Sequence, residues 1–133
     1  MIGYKVLNKD WRGKQWGAPI TKLPGFHYNL GHTYIETVTG TEITIDTDKC
    51  VRGFHFCDRM ADAIRFAPIV AGISPEECDL HNFVFTEVVA GGSISMKTVA
   101  GVRTWRSSII KIVREFSFEE AMELARTEIE EGK

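Results

Sequence analysis

Short stretches with a period-two pattern recur along this chain and predict a series of β-strands. The segment GYKVL (3–7) is rich in β-prone residues, and HTYIETV (32–38) has two sets of side chains in regular alternation. Gly40 interrupts this pattern, and EITID (42–46) resumes it. Two short alternating segments on either side of a glycine predict a β-hairpin.

The segment GFHFC (53–57) is a further predicted strand. Neighbouring side chains of a strand point to opposite faces, so Phe54 and Phe56 share one face and His55 and Cys57 the other. The chain therefore presents two aromatic rings on one side of this strand and two possible ligands on the other.

Helical spacing follows this strand without a linker. Asp58 offers a side-chain oxygen as an N-cap, and Pro68 marks the end of the helix. The apolar residues at helical spacing between them are Met60, Ala63, Ile64 and Ala67. The prediction is a strand, a tight junction and a helix.

The second half of the chain contains the two strongest predicted strands and a closing helix. The strands are HNFVFTEVVAGG (81–92), ended by its paired glycines, and SSIIKIVREF (107–116). Ser117 and Glu120 form a capping box, which predicts a helix as far as about Glu131. Its apolar stripe consists of Phe118, Ala121, Met122, Ala125 and Ile129.

This order of elements predicts an α+β fold in a single domain, residues 1–133. We expect an antiparallel or mixed sheet with one internal helix and a C-terminal helix. The 133 residues are 44% hydrophobic and 26% charged, an ordinary composition for a globular domain that buries a core. No apolar run approaches the roughly 18 residues of a membrane span, and the amino end lacks a signal-peptide pattern. We therefore expect a cytoplasmic protein without a membrane partner.

The charge is close to balanced overall but unevenly distributed. The net charge of −2 gives no general attraction to nucleic acid, so a nucleic-acid partner is not expected. Lysine and arginine dominate before Pro24, and glutamate dominates after Ser117. We interpret the two regions as solvated faces of opposite sign.

Two tryptophans lie in the turn-rich segment that follows the first strand. Trp11 and Trp16 flank Arg12 and Lys14, an arrangement that permits stacking beside a cation. One interpretation is that the rings close one edge of the core. The other is that Trp11, Arg12 and Trp16 bind a partner, for which single-stranded nucleic acid is one option.

Thiol and imidazole groups raise the question of a metal site. The weak candidate ligands are Cys50, His55, Cys57, Cys78 and His81. Cys50 and Cys57 are seven positions apart, which is wider than the usual ligand spacing of a zinc site. We therefore expect no metal, and reduced thiols that serve as packing residues.

The strand and helix at residues 53–67 resemble a known family. GFHFCDRMADAIRFA is similar to the nicotinamide-pocket strand and following helix of the poly(ADP-ribose) polymerase branch of the ADP-ribosyltransferases, where the strand reads Gly-Ile-Tyr-Phe-Ala-Asp. NFVFTEVVAGGSI (82–94) resembles the apolar strand that follows that helix in the family. The resemblance covers about half of the chain and implies an ADP-ribosyltransferase-like fold.

The resemblance also implies where a ligand site would lie. Lys5 occupies the position of the family's NAD-binding histidine or arginine, and His55 occupies the position of its pocket tyrosine. The segment before residue 107, which carries the family's catalytic glutamate, has no carboxylate here and offers Arg103, Trp105 and Arg106. The implied ligand-binding residues are Lys5, His55, Cys57, Arg103, Trp105 and Arg106. The catalytic candidates are Lys5, His55 and a displaced glutamate at Glu87 or Glu115, although His55 also fits an ordinary packed histidine.

Three functional hypotheses follow. The segment Cys-x-x-GFHFC (50–57) resembles small phage-encoded domains of unknown function, which implies a phage or mobile-element protein that binds or inhibits a host protein or a nucleotide, without a cofactor. The alternative is an active NAD-dependent ADP-ribosyltransferase or NAD glycohydrolase. A single-stranded nucleic-acid binder is the third. Convergence of His55, Lys5 and Arg103 in one cleft would favour a ligand site.

Overall fold

Seven strands and two α-helices follow one another in the part of the chain that the computed structural model describes, which is residues 1–13, 26–35, 54–68, 73–99 and 101–132. The strands are β1 (Ile2–Asn8), β2 (Arg12–Gly13), β3 (Phe26–His27), β4 (Thr33–Ile35), β5 (Phe54–Phe56), β6 (Phe83–Val99) and β7 (Val102–Phe116). The helices are α1 (Met60–Arg65) and α2 (Phe118–Gly132). Short 3-10 turns cover Pro75–Glu77 and Leu80–Asn82. The predicted strand at 42–46 lies outside the described residues.

The main sheet is built around the hairpin of β6 and β7. Its strand order is β1-β6-β7-β4, and β5 also pairs with β7, beside β4. All pairs are antiparallel, and β2 and β3 form a separate small sheet. The protein is thus a single small α+β domain, and the sheet is antiparallel rather than mixed.

The sheet curls so that its two sides meet at Tyr4 and Cys57. The main-chain N–H of Tyr4 donates to the carbonyl of Cys57 at 2.7 Å, and the N–H of Cys57 donates to the carbonyl of Tyr4 at 2.9 Å. This bridge joins the end of β5 to β1. Gly3 makes the approach possible, because a Cβ atom there would lie 2.4 Å from a ring carbon of Phe56.

The paired glycines do not end β6, and this part of the prediction is wrong. The strand continues through Gly91 and Gly92 to Val99, with a shift in register between Gly91 and Ile94. Gly92 has a φ of +72°, which favours glycine, and the next residue's N–H donates to the hydroxyl of Ser108 at 2.9 Å. The glycines therefore form a β-bulge that bends a long strand.

Two hydrophobic cores lie on the two faces of the sheet. The first, covered by the helices, contains Val6, Cys57, Met60, Ala63, Ala67, Phe83, Phe85, Phe116, Ala121 and Ala125. The second contains Leu7, Tyr28, Phe54, Phe56, Val84, Val88, Ala90, Ile110 and Ile112. Val6 and Leu7 are neighbours in β1 and lie in different cores, as strand alternation requires.

The helix after β5 is confirmed, but it ends at Arg65 rather than at Pro68, and its predicted N-cap is wrong. Asp58 makes no capping bond and instead accepts a hydrogen bond from Arg103. The first main-chain amides of α1, those of Met60 and Ala61, both donate to the carboxylate of Glu128 in α2 at 2.8 Å. A residue far along the chain thus satisfies donors that a local cap would normally satisfy.

We expect Glu128→Ala to lower the free energy of unfolding by about 2 kcal/mol, because it leaves two amides of α1 without their acceptor. Chemical denaturation monitored by circular dichroism measures the change. Glu131→Ala, on an exposed residue of the same helix, is the control and should change stability by less than about 0.5 kcal/mol. Equal effects of the two substitutions would show that the cap contributes nothing.

The capping box of α2 is confirmed. Glu120 accepts from the N–H of Ser117 at 2.9 Å, and the N–H of Glu120 donates to the hydroxyl of Ser117 at 3.1 Å. The helix ends at Gly132, one residue beyond the predicted end. Ile129, the last member of the apolar stripe, is 65% exposed and lines a groove between α1 and α2. Neither described helix has the length and apolar character needed to cross a membrane.

Candidate functional site

Buried polar atoms without hydrogen-bond partners gather at one end of the sheet. Within the described ranges they include Oγ of Ser95 and Ser107, Nε1 of Trp105, and both Nη1 and Nη2 of Arg106. All lie where β5, β6 and β7 run side by side. Native proteins pair nearly all of their buried polar groups, so each of these atoms marks a place where a ligand or water can complete the bonding, although the atoms belong to both faces of the sheet.

Arg106 is the most unusual member of this group. It is only 3% exposed, and it lies between His55 of β5 and Ser95 of β6, its Cα partners across the two strand pairs. Cross-strand partners point to the same face, so the three side chains share one side of the sheet. A buried guanidinium group is normally paired with an anion, and among the described residues none is hydrogen-bonded to Nη1 or Nη2.

Trp105 and Ser107 lie on the opposite face of β7. The Trp105 ring stacks on Phe56 with 6.5 Å between ring centroids and an interplanar angle of 20°. Trp105 is half-buried against the second core, which leaves its indole N–H inside the protein. The indole ring of Trp105 therefore serves as a packing residue of the second core.

Arg103 is a surface residue. Its Nη2 donates to Oδ2 of Asp58 at 2.7 Å, and about half of its side chain is exposed. The ion pair joins the start of β7 to the junction between β5 and α1. Arg103 thus lies near the site but has a partner of its own.

Lys5 reaches β5 from the interior of the protein. Its Nζ donates to the carbonyl oxygen of His55 and lies 5.2 Å from the centre of the Tyr28 ring. The side chain is buried, and this burial lowers the pKa of its ammonium group to about 8. Lys5 therefore contacts His55, but it does so through the main-chain carbonyl of the histidine and not through the imidazole ring.

Glu87 lies away from this pair. It is the Cα partner of Tyr4 in β1 and of Arg114 in β7, whereas Lys5 is the partner of Thr86. Since Tyr4 and Lys5 are neighbours on one strand, Glu87 is on the face opposite Lys5. Burial, Glu128 and Glu87 raise the pKa of the Tyr4 phenol. Glu115 is the partner of Thr86 and is exposed.

The candidate metal ligands are dispersed. Cys57 is a buried free thiol whose pKa is raised to about 12 by burial, and Cys78 is a free thiol in another segment. His81 is exposed, its Nδ1 lies 3.0 Å from the carboxylate Oδ1 of Asp79, which accepts the hydrogen bond, and its ring stacks on Phe118. The described residues contain no group of three or more side chains able to hold a metal ion. Cys50 lies outside them.

Trp11 packs against the second core, as Trp105 does. It has a φ of +66°, rare for a bulky residue, and its main chain is fixed by bonds to the carbonyl of Asn8 and from the N–H of Tyr28. These contacts agree with the interpretation that its ring closes the core. Arg12 is in β2, paired with His27, and Trp16 lies outside the described residues.

Ser95 was not evident from the sequence as a site residue. It lies in a strand between Ile94 and Met96, where serine is an ordinary choice. The one available signal is the composition of the hairpin from Ser93 to Ile109, which carries three basic residues and no acidic one. That charge distribution would have directed attention to this end of the sheet.

Fold and site together define a small α+β domain with a curled antiparallel sheet and, at one end, a buried arginine whose Nη1 and Nη2 have no hydrogen-bond partner among the described residues. The chain belongs to a family described as Domain of unknown function (DUF7666), whose model matches residues 1–124. Neither the search of curated proteins nor the search of solved structures finds a match. The matched range includes every strand described above.

Proposed function

We propose that this chain is a binding module that recognises an anionic group of a nucleotide or of a host protein at the end of the sheet formed by β5, β6 and β7. One observation carries the proposal: the buried guanidinium group of Arg106 has no hydrogen-bond partner at Nη1 or Nη2 among the described residues. An anion bound there supplies the missing acceptors.

The energetic cost of this arrangement supports a functional role. Leaving a buried charged donor unsatisfied costs about 3 kcal/mol or more, and selection for stability alone would replace it. Residues retained against stability are commonly those that function requires. Because the nitrogens are buried, the ligand enters only when the neighbouring chain opens, and we expect slow association.

The position of the candidate acids favours binding over catalysis. A glycosidic bond to nicotinamide breaks with developing positive charge, which a nearby carboxylate would stabilise. Glu87 lies on the face opposite Lys5, and Asp58 is paired with Arg103. Glu115 is on the Lys5 face, but it is exposed and two strands away from the buried lysine. Lys5 itself is enclosed in the protein.

The proposal includes a degenerate ADP-ribosyltransferase-like fold. Its support is the junction at which β5 leads directly into α1, the feature on which the sequence resemblance rests. A phage or mobile-element origin, indicated by the Cys-x-x-GFHFC segment, makes a host protein the natural partner. An NAD-dependent transferase would use the same end of the sheet, through Lys5 and His55.

The test compares Arg106→Gln with the wild-type protein in calorimetric titrations with NAD, ADP-ribose and an acidic peptide. We expect at least one of these anions to bind the wild type, and Arg106→Gln to weaken that binding about 100-fold, because it removes a charged donor. Arg126→Gln is the matched control, since Arg126 is exposed and already paired with Glu123 and Glu130. Equal binding by all three proteins would refute the proposal.

Two further measurements separate the alternatives. Incubation with labelled NAD should give no nicotinamide release or label transfer above background; release that Lys5→Met abolishes would establish the enzymatic alternative instead. Titration with a single-stranded oligonucleotide tests the third hypothesis. Tight binding that weakens as salt rises would identify a nucleic-acid binder.

A further inference from the structure

The donors around Arg106 outnumber the oxygens of a carboxylate. Nη1 and Nη2 of Arg106 and Oγ of Ser95 are buried and have no hydrogen-bond partner in the described ranges. The two residues are Cα partners across β6 and β7. Neighbouring strands lie about 5 Å apart, so the two side chains start from adjacent positions on one face of the sheet.

Three donors on one side match a group with three acceptor oxygens. A guanidinium group binds two oxygens of an anion in its own plane, and the Ser95 hydroxyl is placed to donate to a third. A carboxylate has only two oxygens, whereas a terminal phosphoryl group has three. A carboxylate oxygen can accept more than one hydrogen bond, but only a phosphoryl group gives each of the three donor atoms an oxygen of its own.

The local charge also suits a group with more than one negative charge. The hairpin from Ser93 to Ile109 carries Lys97, Arg103 and Arg106 and no acidic residue. Asp58, which approaches the hairpin from the junction of β5 and α1, has its Oδ2 paired with Arg103 at 2.7 Å, and its Oδ1 is buried without a hydrogen-bond partner in the described ranges. A phosphoryl group carries up to two negative charges near neutral pH and gains more from this field than a carboxylate does.

We infer that the anionic group bound at Arg106 is a phosphoryl group, either free phosphate or the terminal phosphate of a nucleotide. This inference rests on the proposed function and narrows it. Arg106 holds two phosphoryl oxygens, and Ser95 holds the third.

Calorimetric titration of the purified chain with inorganic phosphate, AMP, adenosine and succinate tests the inference. We expect saturable binding of phosphate and AMP and none of adenosine or succinate. Ser95→Ala should weaken phosphate binding about tenfold, and Arg106→Lys, which keeps the charge but loses the planar fork, about tenfold as well. Ser93→Ala is the control, because Ser93 is exposed and only its main-chain N–H is bonded.

Each result has a distinct meaning. Tighter binding of AMP than of phosphate identifies a nucleotide as the source, and equal binding identifies the phosphoryl group alone. Binding of succinate as tight as that of phosphate overturns the inference and leaves the proposed anion site intact. If succinate and phosphate both fail to bind, and NAD, ADP-ribose and the acidic peptide fail as well, the site itself is refuted.

Discussion

Lys5→Met is expected to raise the free energy of unfolding by about 2 kcal/mol at pH 7. Burial lowers the pKa of the Lys5 ammonium group from 10.5 to about 8, and this difference corresponds to about 3 kcal/mol of destabilisation while the group is charged. Methionine has a similar length and fills the same space without a charge, but it removes the hydrogen bond to the His55 carbonyl, which offsets the gain by about 1 kcal/mol. Urea denaturation measures the change, and Lys111→Met, on an exposed strand lysine, is the control.

The pH dependence of stability provides a second readout of Lys5. Between pH 8 and 10.5 the unfolded chain holds a proton on Lys5 that the folded protein has lost, so stability rises with pH. Cys57 acts in the opposite direction, because its thiol titrates near 9.0 when unfolded and near 12 when folded. We therefore expect stability to rise from about pH 8 to 9, to stay level to about 10.5 and then to fall.

The variant should differ from the wild type in one part of this profile. Lys5→Met removes the rise, so stability should stay level to about pH 9 and then fall as Cys57 and Tyr4 titrate. Denaturation curves at closely spaced pH values, recorded with a reducing agent, measure it. A destabilised variant, or a rise that persists without Lys5, would show that the ammonium group is well accommodated.

Gly3→Ala is expected to lower the free energy of unfolding by about 3 kcal/mol. The added Cβ would lie 2.4 Å from a ring carbon of Phe56 and 2.7 Å from the carbonyl oxygen of Cys57. The ring can shift, but the carbonyl accepts from the N–H of Tyr4 and moves only if that bond breaks. The expected loss of about 3 kcal/mol is the sum of two effects, which are overpacking against Phe56 and the loss of the hydrogen-bonded bridge between β1 and β5.

Gly91→Ala is the matched control for this substitution. Nothing lies within 4 Å of a Cβ built at Gly91, which is also in a strand and has no positive φ. We expect it to change stability by less than about 0.5 kcal/mol. Similar losses for both alanine variants would mean that β-propensity, rather than the contact with β5, determines the effect.

Features that depend on a few neighbouring residues were predictable from the sequence. The capping box of Ser117 and Glu120 forms as expected, because both partners lie within one helical turn. The alternation of Phe54 and Phe56 likewise places both rings in one core. In each case the residues that determine the feature are close together in the sequence.

Features that depend on distant residues were not predictable. A glycine pair either ends a strand or forms a bulge, and here the side chain of Ser108, on the partner strand, bonds within the bulge. The N-cap of α1 was assigned to Asp58 because it is adjacent, whereas Glu128 provides the acceptor from another helix. Local patterns contain no information about such partners.

The candidate site could not be predicted from the sequence either, because a shift of one residue in strand register changes which side chains are neighbours. Arg106 was among the sequence candidates, but Ser95 becomes its neighbour only through the pairing of β6 with β7. Glu87 would lie on the Lys5 side if β1 were shifted by one position; instead Lys5 faces Thr86. Register moves every side chain of a strand between faces, and single-strand patterns do not determine it.

The contact between Glu128 and the start of α1 has a consequence for the order in which the chain acquires structure. During synthesis, α1 emerges from the ribosome 68 positions before the carboxylate that caps it. A helix of only six residues has little stability by itself, so we expect it to remain frayed until the carboxyl-terminal part docks. Vectorial folding from the amino end is therefore incomplete at this segment until α2, which is synthesised after α1, fixes the junction beside β5.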